Sequence, residues 1–270
     1  MGKKKSEESV MMGIAHEIDC HGEPIEILPL ADLHIGDPHC NLDLVHNLID
    51  SIKNNRNRYC VLLGDLCNTA LIGSKSDSYG ETMTPREELK YCKELFAPIR
   101  DKILALVPGN HEWRASRMAG LDITYELADK LDLLDVYSDT SALVFLKFGC
   151  SARHSRPVVY SLYINHGHGG GRKIGGKANA LKDHSDIVDV DCYVVGHTHA
   201  CQVFFDSTYR VVPQKFRALR CDRAYVNVAS ALDYGGYGKR GGYTPSSNRY
   251  PLITLHNDEH IVDAGMTRLF

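Results

Sequence analysis

Ile25-Glu26-Ile27-Leu28-Pro29-Leu30-Ala31-Asp32-Leu33-His34 opens as an apolar run and closes on two side chains that bind cations well. The run shows no helical spacing and is entered from the turn His21-Gly22-Glu23-Pro24, so residues 25–31 predict a buried strand. The same order returns twice. Tyr59 to Leu63 closes on Gly64-Asp65, and Ile103 to Val107 closes on Pro108-Gly109-Asn110-His111. Helices are expected in between. Leu42 to Ile52 places Leu44, Leu48, Ile49 and Ile52 on one face behind a cap near Asn41, and Pro85 to Phe96 follows Thr84 as N-cap. Ile123 to Leu131 adds another. Strand alternating with helix in this rhythm means a mostly parallel α/β sheet. Residues 14–20 are placed as a hairpin partner of the strand 25–31.

Beyond about residue 136 the pattern becomes richer in strand. Ala142 to Phe148 and Val158 to Ile164 are expected strands joined by the polar, basic linker 149–157. A short helix at Ala178 to Leu181 and a strand at Cys192 to Val195 follow. Further strands are expected at Gln202 to Phe205, Arg210 to Val212, Tyr225 to Val228 and Leu252 to His256. The expected fold is α/β: two packed sheets with helices outside, in one domain spanning 13–270 whose part 200–270 is strand-rich and basic. Residues 1–12 read as a disordered tail, because Gly13 breaks the short apolar run from Val10 to Ile14 and no secretory cleavage pattern follows.

Composition excludes several classes. The chain has 270 residues, 43% apolar and 24% charged, enough to bury a core without staples. No apolar stretch reaches the roughly eighteen residues of a membrane span. The nine cysteines form no CxxC pair and lie scattered through apolar segments, which fits free thiols in a reducing cytoplasm. Net charge is −3, so no overall affinity for polyanions follows. Its distribution is uneven. Thr140 to Lys182 carries no Asp or Glu but holds Lys147, Arg153, Arg156, Arg172, Lys173, Lys177 and Lys182, and residues 210–249 are similarly basic. Such runs fit solvated strand faces or a phosphate-facing surface.

Five short motifs fall just past expected strand ends: Asp32-x-His34, Gly64-Asp65, Gly109-Asn110-His111-Glu112, His166-Gly167-His168 and Gly196-His197-Thr198-His199. Strand ends hold ligands rigidly and leave them open to solvent, which is where α/β proteins place their sites. Carboxylate, imidazole and amide oxygen without thiolate suit manganese, iron, zinc or nickel in a reactive site. On extended backbone, Asp-x-His and His-x-His send both side chains to one face. Each motif alone is common. The ordered set is what points to a metal centre.

The series resembles the calcineurin-like metallophosphoesterase superfamily, from Asp32 to His199. The resemblance implies a four-layer sandwich of two mixed β-sheets flanked by helices. It implies that Asp32, His34 and His199 hold one metal ion, that Asp65 bridges to a second, and that Asn110, His166 and His197 hold that second ion. His111 would sit beside the scissile phosphate without binding metal. Of His166 and His168, His166 directly follows its strand and is the expected ligand, with His168 left to contact substrate or to support a ligand. His39 could reach the site on its loop, although a solvated loop histidine is the commoner case. Gly109-Asn110-His111-Glu112-Trp113-Arg114 is similar to the Gly-Asn-His-Glu-Cys-Arg run of the protein Ser/Thr phosphatases. Their Gly-Asp motif carries a phosphate-clamping Arg, whereas Gly64-Asp65-Leu66-Cys67-Asn68 has none. Arg114 and Arg117 could supply that clamp, or could simply begin the next helix.

The chemistry implied is hydrolysis of phosphate esters by a hydroxide bridging two divalent ions about 3.5–4 Å apart, with manganese the first expectation. His111 would protonate the leaving alkoxide, and Glu112 would orient His111 or a ligand. The stretch Asp233-Tyr234-Gly235-Gly236-Tyr237-Gly238-Lys239-Arg240-Gly241-Gly242-Tyr243 fits a flexible surface hairpin, or a platform on which bases stack. Three functions remain in play: a phosphodiesterase on nucleotides or single-stranded nucleic acid, a phosphomonoesterase on metabolites or phosphoproteins, and a silent binding module on the same fold.

Overall fold

Pairing is decided by which strand edges are still open, and that places β1 (Gly13–Ile18) far from its neighbour in sequence, β2 (Ile25–Leu30). The computed structural model describes residues 13–268 apart from 73, 75–77, 150–155, 170 and 248, so the expected tail at 1–12 and most of the linker 149–157 lie outside the described residues. Both edges of β2 are occupied, by β3 (Arg58–Leu62) in parallel and β10 (Tyr250–Leu255) in antiparallel. β1 instead runs parallel to β5 (Ser141–Phe148) at the edge of the other sheet, so the expected hairpin of 14–20 with 25–31 does not form.

The helices α1 (Leu42–Asn54) and α2 (Pro85–Phe96) form where the apolar spacing predicts them. Asn41 caps α1 by accepting the Leu44 N–H at 2.9 Å, and Thr84 with Glu87 closes a capping box on α2. After β4 (Ile103–Leu106), α3 (Asn110–Ala119) starts within the Gly109-Asn110-His111 motif itself, and α4 (Ile123–Lys130) follows. Next come β6 (Val158–Asn165), α5 (Ile174–Asp183) and β7 (Cys192–Val195). β8 (Gln202–Val212) and β9 (Arg217–Asn227) form one long hairpin. The expected pair of short strands at 202–205 and 210–212 is a single strand, because the ladder to β9 continues through the polar stretch Asp206-Ser207-Thr208. The short helix α6 (Gly236–Arg240) precedes β10, and the last strand is β11 (Val262–Thr267).

The sheets run β1-β5-β6-β7-β9-β8 and β11-β10-β2-β3-β4. Both are mixed, and together with α1, α2 and α5 they make the four-layer sandwich. Val45, Leu48 and Ile52 of α1 join Ile27, Val61, Val144, Leu162 and Val194 in the main core. A second core, built from Tyr163, Tyr193, Val195 and Tyr225, packs under Leu181 of α5. Strands β2, β3 and β4 are parallel, as are β6, β7 and β9, with Asn165, Val195 and Asn227 level with one another. Six strand ends therefore deliver their loops to one edge of the sandwich.

Candidate metal centre

At that edge Asp32, His34, Asp65, His111, His166, His197 and His199 draw together into overlapping clusters whose ligand atoms lie within 4.8 Å of one another. Asp32 directs one carboxylate oxygen to the His197 backbone N–H at 2.8 Å. Its other oxygen, Oδ1, is buried with no hydrogen-bond partner, 3.3 Å from His199 Nε2 and 3.9 Å from His34 Nε2. Asp65 repeats the device. Its Oδ1 accepts the His111 N–H at 2.8 Å, and its Oδ2 faces His166 Nε2 at 3.3 Å and His111 Nε2 at 3.9 Å.

Acceptors behind the rings fix which nitrogen faces the centre. His34 Nδ1 donates to Asn68 Oδ1 at 3.2 Å, and the Asn68 amide is itself oriented by donating to Glu81 at 2.7 Å. His166 Nδ1 donates to the Leu63 carbonyl at 2.6 Å, and His111 Nδ1 to the Asn68 carbonyl at 2.6 Å. His197 reverses the sense: Nε2 donates to the Gly169 carbonyl at 2.9 Å, leaving Nδ1 2.7 Å from Asn110 Oδ1. Donor atoms thus crowd together: His34 Nε2 lies 3.2 Å from His199 Nε2, and Asn110 Oδ1 faces the His197 Nδ1 lone pair at 2.7 Å and His166 Nε2 at 3.1 Å. Metal bonds near 2.0–2.2 Å would place neighbouring donor atoms roughly 3–3.5 Å apart. The orphaned Asp32 oxygen and these facing acceptors fit a divalent cation.

Protons compete for the same positions. Burial opposes charge on His166, yet the Asp65 and Asp32 carboxylates outweigh it and push the ring up to about 10. Burial and the neighbouring His111 push His34 down to about 3, so its ring is neutral and ready to coordinate. Burial works against the Asp65 anion, but the His166 and His111 rings hold that carboxyl well below its ordinary range. A cation held by these residues would compete with the proton that Asp65 and His166 share.

The backbone of the motifs is not extended. Asp32, His34, Asp65, His197 and His199 have φ of 53°, 49°, 49°, 65° and 53°. Left-handed φ is uncommon for such residues and costs of order 1–3 kcal/mol each, a strain that gathers at functional sites. The pairs Asp32/His34 and His197/His199 therefore converge through turns rather than through strand alternation.

Glu112 is buried and accepts four backbone N–H groups, from Asp65 (2.9 Å), Leu66 (2.7 Å), Cys67 (3.0 Å) and Gly109 (3.0 Å). It braces the two loops that carry Asp65 and Asn110 and makes no hydrogen bond to the His111 ring. Burial and the Asp65 charge push its carboxyl up to about 7, against the donors that favour its anion. Arg114 lines the cavity beside the centre, with Nη2 donating to the Asn68 and Thr69 carbonyls at 3.2 and 3.3 Å. Arg117 turns outward and stacks on Trp113 at 4.9 Å, and His168 faces His184, with ring centroids 5.9 Å apart. Neither is among the described residues that line the cavity.

Sequence reasoning missed Asn68 and Glu81, which orient His34, and it also missed what the 233–243 stretch does. That stretch is a wall of the cavity, about 510 Å³ in volume, that opens on the cluster. His39 lines the cavity too, packed flush under Gly235 and Gly236. The available signal was topological. The stretch leaves the end of β9, level with the strand ends that carry the histidines.

A family model described as calcineurin-like phosphoesterase matches residues 33–201. Among solved structures the chain is similar to Vps29 from Cryptosporidium parvum, with 14% identity, 91% of this chain and 97% of that chain covered, and a TM-score of 0.42. It is also similar to Vps29 from Entamoeba histolytica complexed with zinc (12% identity, 91% and 100% covered, TM-score 0.37). A conserved Streptococcus pneumoniae protein described as a predicted phosphoesterase is a third (13% identity, 90% and 98% covered, TM-score 0.34). No curated protein matches the sequence significantly.

Proposed function

The chain belongs to the calcineurin-like phosphoesterase family, and from that premise we propose that it is a dinuclear metal-dependent phosphodiesterase acting on nucleotides or nucleic acid. The observation that carries the reading is the pair of carboxylates, Asp32 and Asp65, each with one oxygen on a backbone N–H and the other aimed at imidazole nitrogens. Asp32, His34 and His199 would hold one ion, Asn110, His166 and His197 the other, and Asp65 would touch both. Bound there, two divalent ions, manganese first and iron, zinc or nickel as alternatives, supply Lewis-acid charge and make water nucleophilic near neutral pH.

The chain's own residues do the rest. His111 is held by its Nδ1 on the Asn68 carbonyl, so Nε2 faces the cavity, where the imidazolium form would pass its Nε2 proton to the leaving oxygen. Glu112 acts through position: it fixes the Asp65 loop against Gly109, so the donor atoms need not reorganise when substrate arrives. The tyrosine- and glycine-rich wall with Arg240 supports a nucleotide rather than a small metabolite, since rings can stack on bases while a cation meets phosphate. Described cysteines that are all free fit a reducing compartment such as the cytoplasm. Among the described residues no helix is long and apolar enough to cross a membrane.

The test is metal analysis of the purified protein, followed by hydrolysis of bis-p-nitrophenyl phosphate against p-nitrophenyl phosphate with manganese. Two ions per chain and preference for the diester are expected, and His111→Ala should retain metal while losing about 10²–10⁴ in diester turnover. Preference for the monoester would make the protein a phosphomonoesterase. Metal binding with silence on both substrates would make it a binding module.

A further inference from the structure

The cavity wall at 232–246 lies outside the matched residues 33–201, yet it is tied to the centre by the backbone itself. The Ala231 N–H donates to the Asp32 carbonyl at 3.1 Å, and the Ser230 hydroxyl to the same oxygen at 2.9 Å. The Asn41 N–H donates to the Ala231 carbonyl at 3.0 Å, the Asp233 N–H to the His39 carbonyl at 2.9 Å, and the Asn41 amide to Asp233 Oδ1 at 3.1 Å. A Cβ on Gly235 would fall on the His39 ring, and one on Gly236 would lie 2.8 Å from His39 Cδ2, so the wall sits flush against that loop. At the far rim the Arg172 guanidinium, from the loop after β6, lies 5.5 Å over the Tyr243 ring. One side chain from the loop after β6 thus reaches the wall that follows β9. A pocket of about 510 Å³ is the size that holds one small ligand, whereas a polymer laid through a site needs a groove open at both ends.

Its cations are not equivalent. Lys177 donates to the Thr198 carbonyl at 2.7 Å, and Arg114 to the carbonyls of Asn68 and Thr69. The Arg240 side chain lines the same cavity with no hydrogen bond or ion pair to any described residue. Tyr234 shares that wall and is half exposed.

We infer that this wall makes the site a one-sided socket for one nucleotide unit at a strand end, with Arg240 holding the phosphate next to the one that is cleaved. The inference rests on the phosphodiesterase reading and names its substrate class: a nucleotide carrying a second phosphate, either as a free dinucleotide or as the end of a single strand. Each turnover breaks one P–O ester bond with one water, the oxygen going to phosphorus and the proton to the leaving oxygen, and frees a mononucleotide.

Calorimetric titration of manganese-loaded His111→Ala protein with 5′-phosphorylated thymidine dinucleotide measures binding apart from turnover. Adding Arg240→Ala should weaken binding at least about tenfold, the scale of one charge-assisted hydrogen bond. Lys239→Ala, on the same helix but outside the cavity lining, should leave affinity within about twofold. Equal affinity in all three proteins overturns the role of Arg240. In a second arm the wild-type protein meets linear and covalently circular single-stranded DNA. Loss of nucleotides from the linear strand with the circle intact supports the socket. Nicking of the circle at a comparable rate, or an untouched linear strand beside a cleaved dinucleotide, overturns the strand-end assignment. Bis-p-nitrophenyl phosphate run in parallel tests the hydrolase reading alone: if it survives intact while dinucleotide binding depends on Arg240, the hydrolase reading fails and the socket stands.

Discussion

Replacing Glu112 by glutamine asks how strongly one buried carboxylate holds the loops of the metal centre. Oε2 accepts the N–H groups of Asp65 and Gly109, and Oε1 accepts those of Leu66 and Cys67. The shape of the side chain survives in glutamine, but one oxygen becomes an NH₂ that can only donate. Whichever way the amide turns, two buried N–H groups lose their acceptor and face another donor. A buried donor left unsatisfied costs about 1–3 kcal/mol, so Glu112→Gln should destabilise the protein by about 2–6 kcal/mol. That is a large part of a typical folding free energy of about 5–15 kcal/mol. In a chain of this size it should lower Tm by on the order of 10 °C. Urea unfolding of the metal-free protein reads the change without metal linkage, and Glu94→Gln, exposed on α2, serves as the control that should stay within about 0.5 kcal/mol. If Glu112→Gln also stays within that margin, the brace is not what holds Asp65 to Gly109, and the reasoning from satisfied donors is wrong.

Gly22→Ala and Gly64→Ala separate backbone strain from collision. Gly22 has φ +79° with nothing within 4 Å of a built Cβ, whereas at Gly64, φ +80°, the Cβ would fall on the Gly109 backbone nitrogen. Gly22→Ala should cost about 1 kcal/mol and Gly64→Ala several times more, read as the difference in urea midpoint; equal losses would refute the close approach of these two loops. His260 stacks on Tyr160 with centroids 4.7 Å apart and lies 3.4 Å from Asp191 Oδ2; the bond to Asp191 raises its pKa above the ordinary 6.5. A raised histidine stabilises fully below its unfolded pKa and loses that contribution as pH climbs through the folded value. The Tm gap between wild type and His260→Ala should therefore be widest near about pH 6 and narrow towards about pH 8.5, and a gap that does not change with pH would refute the ion pair.

Much of the scaffold is legible locally. An apolar run such as 25–31 is a strand because nothing in it can face water, and Thr84-Pro85 with Glu87 starts a helix because the caps sit at its first turn. The motifs follow their strands directly, so their position at strand ends is visible as soon as the strands are. The pairing of β1 is not legible locally, for a different reason. Its alternating residues suit the edge of either sheet, and only the occupied edges of β2 exclude it there.

By itself, then, the sequence determined the α/β layering and the set of side chains able to meet at one edge, because strand formation and ligand chemistry are carried by residues adjacent in the chain. Only the tertiary structure decided which lone pair each ring presents, since those tautomers depend on the carbonyls of Leu63 and Gly169 and on the Asn68 amide and carbonyl, brought in from other loops. It alone turned Glu112 into a brace and the 233–243 stretch into a wall, because both depend on the levels at which β3, β4, β7 and β9 end. Hydrogen bonds between residues tens of positions apart have no local signature: their energy appears only once the sheets have fixed where each loop begins.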